Sequence, residues 1–229
     1  MKTIGIIGGM GPQATAELYM AIVGIFQRRY GARYDADFPP MLIHSVPAPE
    51  VVERLEDERA LAAMLCASAR TLEAGGAEII AIACNTAHVV HPEVAAAVGV
   101  PVLDLPSLAA KAVAGAGYRR VGLLATGLTL ARGLYRAPCQ RLGVELIEPS
   151  PAQLERLTGI IMAVLGGDDL APARADMVRL VEELRAQGAE AVLLGCTDLG
   201  PIVAEQDLPL LVLNTTVLLA EALVRAARD

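Results

Sequence analysis

Short apolar runs alternate with longer segments in which apolar residues recur at a helical period, along nearly the whole chain. The apolar runs predict β-strands over residues 3–8, 41–46, 79–83, 100–104, 121–125, 144–147, 191–195 and 210–213. The other segments predict helices over residues 13–29, 51–74, a stretch opened by Pro92, 107–115, 131–142, 153–165, 171–187 and the end of the chain to Arg228. This alternation favours parallel sheets with right-handed crossovers, in which ligands bind at the carboxyl ends of the strands.

Parts of the pattern occur twice. Residues 76–80 lead into a strand that ends at Cys84, and residues 188–192 lead at the same spacing to Cys196. The runs at 4–8 and 100–103 are echoed at 121–125 and 208–211. Two similar α/β halves that face each other would place one thiol on each side of a shared cleft.

The duplication predicts an α/β fold of two pseudo-symmetric, Rossmann-like domains, each with a parallel sheet flanked by helices. The first domain is expected to combine residues 1–103 with 208–229, by analogy of the last strand and helix with the 100–104 segment. The second is expected to span residues 104–207. The active site would then lie in the interdomain cleft.

Composition indicates how the chain is packed and where it works. Hydrophobic residues make up 54% of the chain and aromatic residues only 3%, so Ala, Val, Leu and Ile build the core. A mean hydropathy of +0.48 favours a buried contact between copies of the chain. No apolar run reaches the roughly 20 residues of a membrane-spanning helix, and no signal peptide is recognisable. We therefore expect a cytoplasmic protein that does not bind membranes.

Charge and lysine content narrow the class of partner. The net charge is −7 and no basic cluster occurs, which argues against nucleic acid. Lys2 and Lys111 are the only lysines, and neither position suits the Schiff base of a pyridoxal phosphate enzyme. The glycine-rich turn at residues 8–12 fits carboxylate binding, or simply a tight turn, better than a dinucleotide. We predict a small-molecule partner and no cofactor.

The cysteines are the candidate reactive groups. Cys66, Cys84, Cys139 and Cys196 are expected to be free thiols, since no Cys-x-x-Cys spacing occurs. Cys66 and Cys139 fall in helical patterns and are interpreted as small core residues. A lone cysteine at a strand end would have the same interpretation. The duplication of Cys84 and Cys196, each followed by polar residues, favours catalysis instead.

Two thiols on opposite faces of a carbon acid can invert its centre, because one removes the proton and the other delivers a proton to the far side. A helix N-terminus can lower the pKa of such a cysteine without a metal. Asn85, Thr86 and Thr197 follow the cysteines at predicted helix starts. Their polar atoms and backbone N–H groups can stabilise charge that forms on a substrate carboxylate.

Three further polar residues lie close to the cysteines in sequence. His88 and His91 could suggest a metal, but the sequence offers no evident third ligand, so we predict no metal and interpret them as capping or packing residues. Asp198 could orient a thiol or a substrate amine, or serve only as a carboxylate at a helix start.

Three segments carry a resemblance to a known family: residues 8–15 (GGMGPQAT), 83–88 (ACNTAH) and 195–197 (GCT). They resemble the signatures of the aspartate/glutamate racemase family, in particular its cofactor-independent aspartate racemases, and the similarity spans the whole chain. The resemblance implies two pseudo-symmetric domains, Cys84 and Cys196 as the acid/base pair, no cofactor and a homodimer. It also implies a set of residues near the substrate: Met10, Asn85, Thr86, Thr126 and Thr197.

The chain departs from the family pattern at positions that concern the substrate. The proline-rich turn after the second strand lacks the family's Arg, and Arg54 is the nearest. Leu165 stands where the family has a Lys, Asp198 where it has a Glu, and Asn214 where an Asp is common. We therefore predict an amino-acid racemase that acts on aspartate, glutamate or a related amino acid.

Two alternatives are open at this stage. One is a thiol-dependent isomerase, decarboxylase or hydantoin racemase, in which one cysteine can act as a nucleophile. The other is a non-catalytic protein that binds small anions on the same scaffold.

Overall fold

The computed structural model describes residues 1–48, 55, 57–202 and 208–229 of the chain. The strands are β1 (Ile4–Gly8), β2 (Met41–Ser45), β3 (Ile79–Ile82), β4 (Arg120–Ala125), β5 (Glu145–Ile147), β6 (Ala191–Gly195) and β7 (Leu211–Asn214). The helices are α1 (Pro12–Tyr30), α2 (Glu58–Ala74), α3 (His91–Ala96), α4 (Leu105–Gly115), α5 (Gly127–Ala131), α6 (Arg136–Arg141), α7 (Pro151–Gly166), α8 (Leu170–Ala186) and α9 (Thr215–Arg228). Short 3₁₀ turns occur at Asp35–Asp37, Thr86–Val90 and Thr197–Ile202.

The strands form two parallel sheets with the orders β2-β1-β3 and β5-β4-β6-β7. All residues of β1, β3 and β6 are buried, as expected for parallel strands covered by helices on both faces. The predicted fold class, α/β with two parallel sheets flanked by helices, is confirmed.

The strand predicted over residues 100–104 is reduced to one parallel bridge, between Ile80 and Val102. Pro101 has no N–H to donate to a longer ladder, and α4 begins already at Leu105. The bridge lies beside β3 as β7 lies beside β6. Both halves of the chain therefore have the same strand order.

The prediction that the strand near residues 210–213 returns to the first sheet is wrong. β7 pairs with β6, in a register that runs from Ala191 opposite Leu211 to Leu194 opposite Asn214. The physical reason is that β7 covers the hydrogen-bonding edge of β6, just as the Val102 bridge covers the edge of β3. In each half, the segment beside the edge of the third strand comes from the same half of the chain.

The two halves exchange their last helices. α9 follows the second sheet but packs against α1, and Leu219 and Leu223 belong to the apolar core around β1 and β3. α4 follows the first sheet's bridge but packs against α6, and Ala109 and Val113 belong to the core around β4 and β6. α4 and α9 also contact each other. Each sheet is therefore covered in part by a helix from the other half.

Two helices differ from their predicted extent. The helix predicted over residues 131–142 is divided into α5 and α6, because Gly133 adopts a left-handed conformation with φ of 61° between them. α2 begins at Glu58, where the Asp57 side chain accepts a hydrogen bond from the Ala60 N–H at 2.9 Å. Most of the chain predicted to form the start of that helix lies outside the described residues.

No helix in the described part of the chain combines the length and the apolar character needed to cross a membrane.

Candidate active site

Cys84 and Cys196 lie at the carboxyl ends of β3 and β6, where the two sheets face each other. Both side chains are buried, with exposed fractions of 6% and 4%. A charge on Cys84 raises the pKa of Cys196, so the two thiols lie close enough to interact electrostatically. A 3₁₀ turn follows each cysteine, at Thr86–Val90 and Thr197–Ile202.

Burial determines the acidity of Cys84. It raises the pKa of this thiol to about 12, although hydrogen bonds from the backbone N–H groups of Ala87 and Thr86 act in the opposite direction. The negative charge of Asp198 raises it as well. The backbone N–H groups of the turn thus act in the expected direction, but the net pKa of the thiol is raised in the protein without substrate. The donors are present, but desolvation of the thiolate is the larger effect.

Cys196 has a carboxylate as its neighbour. Its Sγ donates a hydrogen bond to Asp198 Oδ2 at 3.6 Å. Burial and the charge of Asp198 raise the pKa of Cys196 well above its usual value. Asp198 is itself 6% exposed, and burial raises its pKa too. Of the roles considered from the sequence, the structure shows a contact that orients a thiol.

Asp198 also reaches the glycine turn of the other half. A Cβ added to Gly11 would lie 3.6 Å from Asp198 Oδ1 and 3.6 Å from Leu165 Cδ2. Leu165 is 39% exposed on α7. Burial and the charge of Asp198 raise the pKa of Glu17, on α1. An acidic side chain and an apolar one therefore border the glycine turn beside the thiols.

A cluster of three hydroxyl groups joins the two halves next to Cys84. Thr86 Oγ1 lies 3.0 Å from Thr126 Oγ1 and 3.1 Å from Thr129 Oγ1, and the last two are 3.0 Å apart. Thr126 also caps α5 by accepting a hydrogen bond from the Thr129 N–H at 3.2 Å. Thr86 and Thr126, both predicted site residues, are thus brought together. Thr129 was not predicted, although the Thr-x-x-Thr spacing of an N-cap was visible.

Asn85 links the turn after β3 to two distant parts of the chain. Its Nδ2 donates to Thr215 Oγ1 at 3.1 Å, and its Oδ1 accepts a hydrogen bond from the Tyr135 hydroxyl. Thr215 Oγ1 donates in turn to the Leu194 carbonyl at 2.7 Å. Asn85 therefore holds the first sheet against the second. Tyr135 and Thr215 were not predicted, because no short-range pattern connects them to Asn85.

His88 supports the Cys84 turn from below. Its Nε2 accepts a hydrogen bond from the Leu105 N–H at 3.2 Å, so its Nδ1 carries the proton and donates to the Cys84 carbonyl at 2.8 Å. Burial lowers the pKa of His88 to about 4. The His91 ring stacks on it, with centroids 5.6 Å apart. The predicted capping or packing role of the two histidines is confirmed.

The described residues contain no group of three or more His, Cys, Asp and Glu side chains that could hold a metal ion.

The glycine turn before α1 is closed by its own helix. Thr15 Oγ1 accepts a hydrogen bond from the Gly9 N–H at 2.9 Å and donates one to the Gly11 carbonyl at 3.0 Å. Gly9 has a φ of 92°, and a Cβ there would come within 2.5 Å of the Val46 carbonyl oxygen. Met10 packs in the apolar cluster that contains Cys84. The turn thus places a methionine in the same apolar cluster as the first thiol.

The structure also locates the remaining candidates from the sequence. Thr197 is buried and begins the turn after Cys196. Asn214 caps α9, its Oδ1 accepting a hydrogen bond from the Thr216 N–H at 2.9 Å. Arg54 lies outside the described residues.

The chain is similar in sequence and fold to known proteins. The model of a family described as Asp/Glu/hydantoin racemase matches residues 7–223. The broad specificity amino-acid racemase RacX of Bacillus subtilis (strain 168) is 29% identical over 221 residues, which cover 96% of each chain. An aspartate racemase homologue from Pyrococcus horikoshii OT3 is 30% identical with a TM-score of 0.85, over 100% of both chains. The Picrophilus torridus aspartate racemase is 26% identical with a TM-score of 0.84, over 100% of this chain and 95% of that one.

Proposed function

Since the chain belongs to the Asp/Glu/hydantoin racemase family, we propose that it inverts the α-carbon of an amino acid without a cofactor, using Cys84 and Cys196 as two opposed bases. The observation that carries this proposal is the pair of buried thiols at the facing carboxyl ends of β3 and β6. A protein that only bound small anions would need no thiol on either half.

In the proposed reaction one thiolate takes the proton from the α-carbon, and the electron pair of the broken C–H bond moves into the substrate carboxylate. The other thiol then gives its proton to the opposite face of the same carbon. The two sulfur atoms end with their protonation states exchanged, so no oxidant or reductant is needed. Backbone N–H groups in the turns that begin at Thr86 and Thr197 can stabilise the carboxylate charge.

Burial of both thiols fits this mechanism. A thiolate without a water shell is a stronger base than one in water, which suits the removal of a weakly acidic α-proton. The positive α-ammonium group of a bound amino acid would also lower the cost of forming a thiolate beside it.

We further propose that a common set of residues surrounds the substrate: Met10, Asn85, Thr86, Thr126 and Thr197. All are buried around the two cysteines. The side chains of Asn85 and Thr86 are engaged in hydrogen bonds between the halves. In this proposal they act mainly by fixing the turn whose N–H groups meet the substrate.

The domain division belongs to the same proposal. We propose a first domain of residues 1–103 completed by α9, and a second domain that runs from α4 to β7, with the active site in the cleft between them. The pairing of β7 with β6 and the packing of α9 on α1 support these limits.

We also propose a cytoplasmic homodimer. Several large apolar side chains on or just after α1 are exposed and could form the contact between copies: Tyr19, Met20, Tyr30 and Tyr34. The mass of the protein in solution, measured by light scattering, tests the dimer.

The substrate is proposed to be aspartate, glutamate or a related amino acid. The printed name of the Bacillus relative, a broad specificity racemase, supports a panel wider than the two acidic amino acids.

Proton NMR in deuterated water with separate L- and D-amino acids tests the function. We expect the α-proton signal of a substrate to disappear while the other enantiomer forms. Cys84→Ser and Cys196→Ser should each lower racemisation by at least about a hundredfold, the usual range for loss of a general acid or base. Cys66→Ser, a change at a half-buried thiol on α2, is the matched control and should retain activity.

Two results would contradict the two-base mechanism. Near-normal racemisation by either cysteine variant would rule out a role for that thiol. Covalent trapping of one cysteine by a substrate would favour the alternative in which a single thiol is the nucleophile of an isomerase or decarboxylase.

A further inference from the structure

The two thiols differ in the groups that meet their sulfur atoms. The Cys196 Sγ donates a hydrogen bond to the carboxylate of Asp198 at 3.6 Å, and no such carboxylate contact is found for Cys84 among the described residues. The backbone N–H groups of Ala87 and Thr86 lower the pKa of Cys84, whereas the N–H of Asp198 alone does so for Cys196. One sulfur is therefore surrounded by donors, whereas the other lies against an acceptor that carries negative charge.

This difference follows from one pair of equivalent positions. Thr86 and Asp198 each lie two residues after their cysteine. The Thr86 hydroxyl is uncharged, and it forms its hydrogen bonds with Thr126 and Thr129. The Asp198 carboxylate stays on Cys196 and is almost fully buried, where water screens it little.

Donors and carboxylates act in opposite senses on a thiol. A hydrogen bond from an N–H group to sulfur favours the thiolate, whereas a buried carboxylate in contact with the sulfur favours the thiol, both as an acceptor and by repulsion between like charges. The charge of Asp198 also raises the pKa of Cys84, but only Cys196 donates a hydrogen bond to this carboxylate, so Asp198 acts more strongly on Cys196 and separates the proton affinities of the two thiols.

The other titratable groups around the pair do not cancel this difference. Glu17 faces Asp198 and carries the same sign of charge when ionised. Tyr135 interacts with both thiols, but burial raises its pKa well above its usual value, so it stays neutral. His88, behind the Cys84 carbonyl, is neutral above a pH of about 4. Among the described groups, Asp198 is the charge in direct contact with a reacting sulfur.

We propose that the pair loses its first proton from Cys84, so that its one-proton form holds a Cys84 thiolate and a Cys196 thiol, and that Asp198 is the positioning residue that sets this order. The order of proton loss does not depend on the proposed function, but the catalytic roles that follow from it do. In a two-base site it makes Cys84 the resting base and Cys196 the resting acid.

The order does not favour one enantiomer in overall efficiency. The equilibrium constant of racemisation is one, so kcat/KM is the same in both directions. Direct titration of the thiols is therefore the informative measurement. Because the two sites interact, the observed midpoints describe the pair, and variants with one thiol are needed to separate them.

The test follows the ultraviolet absorbance of the thiolate against pH in substrate-free Cys84→Ser and Cys196→Ser proteins, with Cys66 and Cys139 as the common background. We expect the Cys84 thiolate, retained in Cys196→Ser, to form at a lower pH than the Cys196 thiolate. Adding Asp198→Asn should lower the midpoint of Cys196 by about 1 to 3 pH units, the usual effect of removing a like charge at contact distance. Asp198→Glu retains a carboxylate, so the Cys196 thiolate should again form at a higher pH than the Cys84 thiolate.

A purely structural role for Asp198 would leave the midpoint of Cys196 unchanged in Asp198→Asn, and this result would overturn the proposal. So would a Cys196 thiolate that forms before the Cys84 thiolate. If Asp198→Asn does not fold, the relative alkylation rates of the two cysteines in the wild-type protein across the same pH range still decide the order.

The outcome is distinguishable from failure of the proposed function, because the titration uses no substrate. A protein that racemises no amino acid but deprotonates Cys84 first would retain the order and lose the function. A racemase that deprotonates Cys196 first would do the reverse.

Discussion

The buried histidine under the Cys84 turn is neutral for a structural reason. Both ring nitrogens of His88 are used, one as donor to the Cys84 carbonyl and one as acceptor from the Leu105 N–H. Protonation would add the ring's second proton at Nε2, which already accepts a hydrogen bond from the Leu105 N–H, and would bury the resulting charge. The neutral ring thus joins the cysteine turn to the start of α4.

This arrangement predicts how stability depends on pH. Burial lowers the pKa of His88 from 6.5 to about 4, so between these values the unfolded chain binds the proton and the folded chain does not. This group leaves the free energy of unfolding unchanged above pH 6.5 and lowers it as the pH falls from 6.5 toward 4, by about 3 kcal/mol in total. We expect the free energy of unfolding, measured with urea at several pH values in this range, to change less with pH in His88→Gln than in the wild-type protein.

The control is Val217→Ala, a substitution of a partly exposed residue that binds no proton. This variant should keep the wild-type dependence of the free energy of unfolding on pH. An unchanged dependence in His88→Gln would mean that another group titrates in this range.

At the scale of single residues, sequence proximity decided what could be predicted. Asn85 and Thr86 were identified because they directly follow Cys84. Their partners Tyr135, Thr215 and Thr129 were not, because these contacts join segments 43 to 130 residues apart and depend on how the two sheets meet. The net effect on the thiol pKa was also missed, since a sequence shows the donors of a turn but not the desolvation around it.

At the scale of elements, packing of α9 against the first sheet should contribute strongly to the free energy of unfolding. Leu223 is fully buried in the core around β1 and β3. Leu223→Ala should lower the free energy of unfolding by about 2 to 5 kcal/mol, because the cavity would open between α9 and a sheet it does not belong to in sequence. Val217→Ala, at a 39% exposed position of the same helix, should change stability by less than about 0.5 kcal/mol.

Chemical denaturation of both variants gives these values directly. Equal losses in the two variants would mean that α9 contributes through its helix propensity and not through its packing.

The sequence predicted the type of most elements and failed at their partners. Apolar runs identified β1 to β7, and the glycine-ended amphipathic segments identified most of the helices. The pattern could not assign β7 to a sheet, because a buried parallel strand reads the same whichever edge it joins. Likewise it extended one helix through Gly133, where the backbone needs a conformation that ends the helix.

For the whole molecule, the exchanged helices predict a single unfolding transition. α4 covers the second sheet and α9 covers the first, so unfolding of either half exposes apolar surface of the other. The calorimetric and van't Hoff enthalpies should therefore agree, and amides of β1 and β6 should exchange with the same opening free energy. Two resolved transitions, or earlier exchange of one sheet, would contradict this coupling.

The two-half organisation was visible in the repeated segments around Cys84 and Cys196. The exchange of helices was not, because a repeat shows which segments correspond but not which copy each one packs against. Packing between halves is a property of the assembled chain.

The exchange of α4 and α9 has the form of a domain-swapped dimer whose two chains have been joined end to end. In a twofold dimer of identical chains, each residue on one face must recur on the other. Joining the copies removes that requirement, since each half is then encoded separately and can diverge. Thr86 and Asp198, at equivalent places after the two cysteines, are such a divergence. A single chain can therefore give the two faces of one site different affinities for a proton, whereas an empty site on the axis of a homodimer has two equal faces.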